Sequence, residues 1–183
     1  PGVVPTPEWK RETFHDDWRL GDTYFTAIGQ YGSKETPLEM LRAYGALASG
    51  GTLITPHVIK GEVGSSTDIG LNPAYLKVIY EGMRKTVILP GGTARGLERS
   101  DVAIAAKSGT AEIGTGNAYV NSWAAGFWPY EKPKYAFILM MDHAPRSNAL
   151  GATRIMGGVF DWMAANRPEY IHGVKTASST PHE

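Results

Sequence analysis

The clearest indication of the fold is residues 102–113, which read VAIAAKSGTAEI. The run begins with small apolar residues over the length of a strand and leads directly into the polar residues 107–113. Two further strands are predicted over 121–128 and 134–141, because PYEKP at 129–133 has the composition of a hairpin loop. Together the three strands predict an antiparallel sheet.

Helices are predicted around this sheet from their start signals. TPLE at 36–39 offers an N-cap threonine, a proline at the first helical position and a capping-box glutamate, so we expect a helix from there to Gly50. NP at 72–73 repeats the signal and predicts a helix to about Leu89. The apolar face of residues 150–166 predicts a third helix, packed on the sheet.

The remaining segments are predicted to be short or irregular. Residues 1–35 are interpreted as loop with short strand pieces, residues 60–71 as a polar, Gly-rich surface loop, and TLIT at 52–55 as a short strand. A helical turn is expected at 93–97. Residues 168–183, rich in Ser, Thr and His, are expected to form a disordered tail.

Composition excludes several classes of function. The 183 residues carry 18 Lys and Arg against 18 Asp and Glu, and this zero net charge provides no long-range field that would attract nucleic acid. The absence of Cys excludes disulfides, thiolate nucleophiles and Cys-ligated zinc. Lys107 follows Ala106 rather than Gly, so the segment around it is not a nucleotide-binding P-loop.

The most informative segment for chemistry is Lys107-Ser108-Gly109-Thr110. On a strand, Ser108 and Thr110 point to one face and Lys107 to the other, while Gly109 leaves room for a ligand to approach the backbone. A strand edge of this kind can pair with an extended peptide, bind a carboxylate through its hydroxyls and cation, and direct a backbone N–H at a developing oxyanion. The alternative for this triplet alone is a solvated turn.

Other polar groups are interpreted as structural. Asp142-His143 is expected to be a polar strand end and His15-Asp16-Asp17 a solvated turn, so no metal site is predicted. The aromatic residues of the predicted hairpin are expected to pack in the core, with a ligand-stacking role as the alternative; they are Trp123, Phe127, Trp128 and Tyr135.

Five segments in order resemble one family. They are GDTY with AIGQ (21–30), TPLEM (36–40), GGTLITPH (50–57), GGTA (91–94) and AKSGTAE (106–112). This order is similar to the transpeptidase domain of class B penicillin-binding proteins, and GDTY looks most like the elongation-type members. The resemblance runs from about Pro5 to about Arg167 and departs at Tyr31, where the family pattern has another Gly.

The resemblance implies peptidoglycan cross-linking, in which a serine attacks the D-Ala-D-Ala end of a stem peptide and β-lactam antibiotics acylate the same serine. Lys107 would supply positive charge and hydrogen bonds, and Ser108 and Thr110 would bind the carboxylate of substrate or antibiotic. The backbone N–H of Thr110 would form half of an oxyanion hole. Ala111 and Glu112 would add substrate contacts, although an exposed strand charge is the alternative for Glu112.

The family's nucleophile stands in a Ser-x-x-Lys motif, and a second motif has the form Ser-x-Asn. No Ser of this chain has Lys three residues later or Asn two residues later. We therefore expect both motifs upstream of Pro1, with residues 1–167 forming the C-terminal portion of the domain. The alternative function is a non-catalytic, penicillin-binding-like scaffold or binding domain of the cell-wall machinery.

The implied fold class is α/β (α+β), the serine-transpeptidase and β-lactamase-like fold, in which helices pack on an antiparallel sheet that this chain holds incompletely. The implied location is the extracytoplasmic face of the bacterial inner membrane, with an anchor upstream. The implied partners are the peptidoglycan stem peptide, β-lactams, the upstream part of the same domain and cell-wall elongation proteins, with no nucleic acid. Acyl transfer by serine needs no metal or organic cofactor.

Overall fold

The computed structural model describes residues 2–147 and 150–172. In chain order its elements are α1 (Pro7–Phe14), α2 (Leu20–Ala27), α3 (Pro37–Ala48), β1 (Thr52–Ile54), β2 (Ser66–Asp68), α4 (Pro73–Ile88), β3 (Ala105–Ile113), β4 (Tyr119–Trp128), β5 (Tyr135–Pro145), α5 (Ala152–Asn166) and α6 (Glu169–His172). Short 3₁₀ turns lie at Arg95–Leu97 and Thr115–Asn117. None of the helices in the described part of the chain has the length and apolar character needed to cross a bilayer.

The predicted antiparallel sheet is confirmed, with strand order β3-β4-β5. Helices cover both of its faces: α3 and α4 pack on one side and α5 on the other. On the first face Ala105 and Phe127 pack with Met83 of α4. On the second face the apolar residues of the sheet pack with Met156 and Phe160 of α5, so the core lies on both sides of the three strands.

The two predicted helix starts are confirmed by their caps. The Thr36 hydroxyl accepts a hydrogen bond from the Glu39 N–H, and the Glu39 carboxylate accepts one from the Thr36 N–H, which closes the capping box of α3. At the start of α4 the Asn72 side chain accepts from the Ala74 N–H at 2.9 Å. The predicted turn near residue 95, the strand at 52–54 and the helix ending at Asn166 are also present.

The prediction of loop over residues 1–35 is wrong, because α1 and α2 lie there. Neither helix presents an apolar periodic face to the core: α2 has no buried residue, and the buried residue of α1 is Lys10. A search for apolar periodicity therefore misses both. A single antiparallel bridge joins Val3 to Lys34 and brings the two ends of this segment together.

Lys10 of α1 instead forms ion pairs with Asp16 and Asp22, and the second of these links α1 to α2. Its ammonium lies 2.7 Å from the Asp22 carboxylate and 3.0 Å from that of Asp16. The hydrogen bond that Lys10 donates to Asp22 is the main cause that raises the pKa of Lys10, and the same contact lowers the pKa of Asp22. Asp22, the acidic residue of the GDTY segment, also accepts from the Arg19 N–H at the start of α2.

The structure corrects three smaller predictions of element boundaries. Within the predicted loop 60–71, residues 66–68 form β2, which pairs with β1 and was missed because all three of its residues are exposed. The strand expected from Val102 begins at Ala105. Residues 169–172 of the predicted tail form α6, in which Ile171 is buried, and residues 173–183 lie outside the described residues.

Candidate functional site

An open cleft of about 670 Å³ runs along the outer edge of β3. Residues 28–36, between α2 and α3, form the opposite wall together with Tyr44 of α3. The floor comes from β4 and β5 and is lined by Asn121, Trp123, Ala125, Ile138 and Met140. Of the residues predicted to form a site, the cleft brings together Lys107, Ser108, Gly109, Thr110 and Ala111.

Among the residues that the structure describes, no strand pairs with β3 over this cleft, because β3 is the outer strand of its sheet. In an antiparallel pair the N–H and C=O of one residue point the same way, and alternate residues point outward. The Thr110 carbonyl accepts a hydrogen bond from Gln30 across the cleft, so Thr110 is one of the outward residues. Its N–H therefore faces the cleft as well.

Helix α4 covers the first part of this edge. The Arg84 guanidinium donates to the Ile104 carbonyl at 2.9 Å, and the Thr86 hydroxyl donates to the Ala106 carbonyl at 2.7 Å. These backbone acceptors are held by side chains of a helix that packs against β3. They are closed to an added strand, which leaves the edge accessible from Ser108 onward.

Over the cleft the outward carbonyls are held by exposed groups. Lys107 Nζ donates to the Ser108 carbonyl at 2.6 Å, and Gln30 Nε2 donates to the Thr110 carbonyl at 3.2 Å. The side chains of Lys107 and Gln30 belong to exposed residues. An extended ligand can therefore reach the same backbone acceptors by displacing a side chain.

The Ser108 hydroxyl is already paired in this structure. It donates to the Thr93 hydroxyl at 2.7 Å, and Thr93 belongs to the GGTA segment. Two hydroxyls and an ammonium group thus lie around the Ser108 position, a set of donors suited to a carboxylate.

Gly109 lines the cleft and also stands close to the neighbouring strand. A β-carbon at this position would lie 3.3 Å from Trp123 Cβ, a tight contact that the glycine avoids. That Gly109 leaves room for a ligand to approach the backbone stays a prediction. Trp123, expected in the core, instead lines the cleft.

Glu112 lies beyond the cleft, unlike the other predicted residues. Its carboxylate accepts from Arg146 at 3.1 Å and from the Asn117 amide at 2.8 Å, which ties together the β3–β4 turn and the end of β5. Because these groups occupy its oxygens, Glu112 is a paired charge rather than an isolated one.

The pKa values of two neighbouring glutamates, Glu35 and Glu39, are shifted in opposite directions. Desolvation raises the pKa of Glu35, which lines the cleft, and the neighbouring charge of Glu39 raises it further. Backbone hydrogen bonds from Thr36 and Gly2 lower the pKa of Glu39 to about 2. Glu39 is therefore a fixed negative charge at neutral pH.

The other polar groups lie apart from the cleft. His143 Nδ1 is 2.7 Å from Asp142 Oδ1 on exposed β5, and His15 caps the end of α1. The described residues contain no cluster of three or more His, Asp or Glu side chains placed to hold a metal ion.

Sequence reasoning did not identify Gln30 and Thr93 as site residues. They contact β3 from 80 and 15 residues away, and neither stands in a periodic pattern. The signal that was available for Gln30 is the glycine before it. Gly29, at φ +74, ends α2, with the Gly29 N–H bonded to the Thr26 carbonyl and the Gln30 N–H bonded to the Phe25 carbonyl. This is a Schellman motif that fixes the backbone of Gln30.

Comparison with known protein families gives one match across most of the chain. Residues 2–159 match the model described as the penicillin binding protein transpeptidase domain.

Curated relatives and solved structures agree with this match. Peptidoglycan D,D-transpeptidase MrdA of Acinetobacter baumannii is 28% identical, with an alignment that covers 100% of this chain and 31% of the relative. The MrdA of Escherichia coli K12 is 27% identical over 82% of this chain and 28% of its own length.

Among solved structures, the complex between PBP2 and MreC from Helicobacter pylori matches with a TM-score of 0.76 and 34% identity, over 92% of this chain and 31% of that one. Pseudomonas aeruginosa PBP2 in complex with WCK 5153 matches with a TM-score of 0.75 and 28% identity, over 98% of this chain and 41% of that one. The predicted fold class is thereby confirmed. The chain spans about a third of the length of the curated relatives described above.

Proposed function

Since the chain belongs to the penicillin-binding protein transpeptidase family, we propose that it forms part of a peptidoglycan D,D-transpeptidase that works through an acyl-serine intermediate. The observation that supports this most directly is the free edge of β3. Thr110 presents both its N–H and its carbonyl to an open cleft that also holds Lys107 and Ser108. A peptide that adds to this edge brings its scissile carbonyl to the Thr110 N–H.

Each residue of the segment has a proposed role. Lys107 supplies positive charge, and the hydroxyls of Ser108 and Thr110 bind the carboxylate of the D-Ala-D-Ala end or of a β-lactam. The Thr110 N–H stabilises the oxyanion that forms when the carbonyl is attacked. Ala111 and Glu112 extend the edge that the stem peptide follows.

The attacking serine is proposed to lie outside this chain, because none of its serines stands in a Ser-x-x-Lys motif. In the first step the serine oxygen bonds to the carbonyl carbon of the stem peptide, the C–N bond breaks, and the terminal D-Ala leaves as an amine carrying the serine's proton. In the second step the amine of a neighbouring strand replaces the serine oxygen, which takes a proton back.

The location and partners follow the same assignment. We place the protein at the extracytoplasmic face of the inner membrane, where its peptidoglycan substrate is assembled. Cell-wall elongation proteins are proposed partners, supported by the solved complex of Helicobacter pylori PBP2 with MreC. β-Lactams are expected to acylate the same serine as the stem peptide.

Labelling of the full-length protein by a fluorescent penicillin tests the proposal. Thr110→Pro removes the N–H on the outer edge of β3, where no ladder hydrogen bond to β4 is lost. We expect it to slow acylation about 10²- to 10³-fold, the cost of one oxyanion donor. Thr110→Ala is the matched control, since it loses the hydroxyl and keeps the N–H, and it should label much faster than Thr110→Pro.

Two results would contradict the proposal. A full-length protein that is not labelled would favour the scaffold function. Equal labelling rates for Thr110→Pro and Thr110→Ala, with unchanged thermal unfolding, would remove the N–H from the mechanism.

A further inference from the structure

A hydrogen bond from an uncharged side chain links the two walls of the cleft. Gln30 Nε2 donates to the Thr110 carbonyl at 3.2 Å, between residues 80 positions apart. The same carbonyl belongs to the residue whose N–H we place opposite the reacting carbonyl. Gln30 therefore acts at the point where a ligand's backbone has to bind.

The geometry suits a bond that forms and breaks easily. At 3.2 Å it is longer than the bonds of Arg84, Thr86 and Lys107 to the other outward carbonyls, which measure 2.9, 2.7 and 2.6 Å. It lies at the long end of the range for N–H donors, and Gln30 is exposed. Of these four donors it is the one that a ligand displaces at least cost.

The backbone of Gln30, in contrast, is held in place. The Schellman motif at the end of α2 fixes the Gln30 N–H on the Phe25 carbonyl at 2.9 Å. Gly29 at φ +74 provides the left-handed conformation that this motif requires. Only the side chain is free to swing away, so the carboxamide can leave and return without moving the cleft wall.

We propose that Gln30 is a positioning residue that occupies the Thr110 carbonyl until an amide N–H of the ligand replaces it. This inference rests on the proposed function. A carboxamide N–H is the same kind of donor as a peptide N–H, so Gln30 satisfies the Thr110 carbonyl in the free protein and competes for it with an acylated amino group of the ligand. A ligand without such an N–H gains nothing by displacing Gln30.

The test compares two β-lactams on the full-length protein. One is a fluorescent penicillin, whose ring carries an acylamino group. The other is a carbapenem, whose ring carries a hydroxyethyl group in its place, measured by competition with the first. Gln30→Ala removes the competing donor, and Gln30→Leu removes it while keeping a side chain of similar size and adding no charge beside the hydroxyls that bind the carboxylate.

Both variants are expected to raise the acylation rate constant of the penicillin about two- to tenfold, the worth of one neutral hydrogen bond, and to leave that of the carbapenem unchanged. Asn166→Ala is the matched control. It also removes an exposed carboxamide, but Asn166 lies on α5 outside the cleft and donates to the Trp162 carbonyl of its own helix. It should change neither rate.

The outcomes separate the proposals. An equal loss of rate for both β-lactams would show that Gln30 only supports the cleft wall. Unchanged rates for both would show that Gln30 has no part in binding. Either result overturns the inference, while labelling of the wild-type protein still supports the proposed function. A wild-type protein labelled by neither compound refutes the proposed function, and the Gln30 inference with it.

Discussion

Glu39 joins the start of α3 to the N-terminal segment. Its carboxylate accepts from the Thr36 N–H at 2.9 Å and from the Gly2 N–H at 2.8 Å, and the Thr36 hydroxyl donates to the same group. These donors lower the pKa of Glu39 to about 2 from its ordinary value of 4.5. They favour the ionised form, so the charge of Glu39 is coupled to folding.

We predict that Glu39 contributes to stability in a pH-dependent way. Because its pKa is lower in the folded state, the contribution is complete above the ordinary value of 4.5 and is lost as the pH falls towards about 2. Glu39→Gln should therefore be less stable than wild type at pH 6, with a difference that shrinks as the pH drops. Urea unfolding of the full-length protein at several pH values measures it.

A matched variant is Glu12→Gln. Glu12 is exposed and makes no hydrogen bond or ion pair to the other described residues, so its replacement should give no pH-dependent difference. A difference for Glu39→Gln that stays constant from pH 6 to pH 2 would refute the assignment of the contribution to the charge.

At the same scale, the sequence predicts the residues of β3 and misses those that meet them. Lys107, Ser108 and Thr110 lie within four residues of one predicted strand, and strand periodicity alone places Ser108 and Thr110 on one face and Lys107 on the other. Gln30 and Thr93 reach this strand from other elements. Their contacts depend on how helices and loops pack around the sheet, which no local pattern in the chain encodes.

At the scale of elements, α5 packs against the 3₁₀ turn at Arg95–Leu97, and the two come closest where Gly157 of the helix meets Gly96 of the turn. A β-carbon on Gly157 would collide with the Gly96 carbonyl, whereas one on Gly158, the next residue of the same helix, would meet no atom within 4 Å. The closeness of helix and turn therefore depends on one of two adjacent glycines.

This pair gives a matched prediction. Gly157→Ala should lower the free energy of unfolding by about 1–3 kcal/mol, the usual cost of overpacking. Gly158→Ala should raise it by about 0.5–1 kcal/mol, because alanine is the better helix former. Thermal unfolding of the two variants measures both. If both substitutions change stability in the same direction, the contact with Gly96 does not control this packing.

Elements that have both a start signal and an apolar face are predicted from the sequence, whereas α1, which has the Thr6 cap and Pro7 but no apolar face, is not. The start of α3 follows from its capping box and that of α4 from its N-cap and proline, both written in consecutive residues. Helices α1 and α2 gain their place from the ion pairs of Lys10 with Asp16 and Asp22. Such pairs leave no apolar period for a sequence to display.

At the scale of the whole molecule, apolar burial is uneven. The buried residues of the larger core cluster come from positions 87 to 171 of the sequence. The smaller cluster consists of Met83, Ala105 and Phe127. The N-terminal helices contribute to neither cluster as buried residues. The molecule thus combines a packed sheet with an N-terminal segment that is held by the ion pairs of Lys10 and by edge-to-face contacts of Trp9 and Trp18 with Tyr31.

We expect this difference to appear in amide hydrogen exchange. Amides of α1 and α2 should exchange at least about tenfold faster than those of β4, because local opening costs least where few apolar contacts are broken. Exchange of the full-length protein followed by mass spectrometry of peptides measures it. Equal protection of the amides of α2 and β4 from exchange would mean that the contacts of the N-terminal helices stabilise them as well as the apolar core stabilises the sheet.

The contact between Gly109 and Trp123 also governs how β3 aligns with β4. Gly109 stands directly opposite Trp123 in the ladder, and it is the one glycine of β3. Any slip of β3 along its neighbour would bring a residue with a β-carbon against the indole, where even the β-carbon of an alanine would lie 3.3 Å from Trp123 Cβ. Trp123 thus fixes the register of β3 against β4. It disfavours the one-residue shift that would move Lys107 and Thr110 to the opposite faces of the sheet.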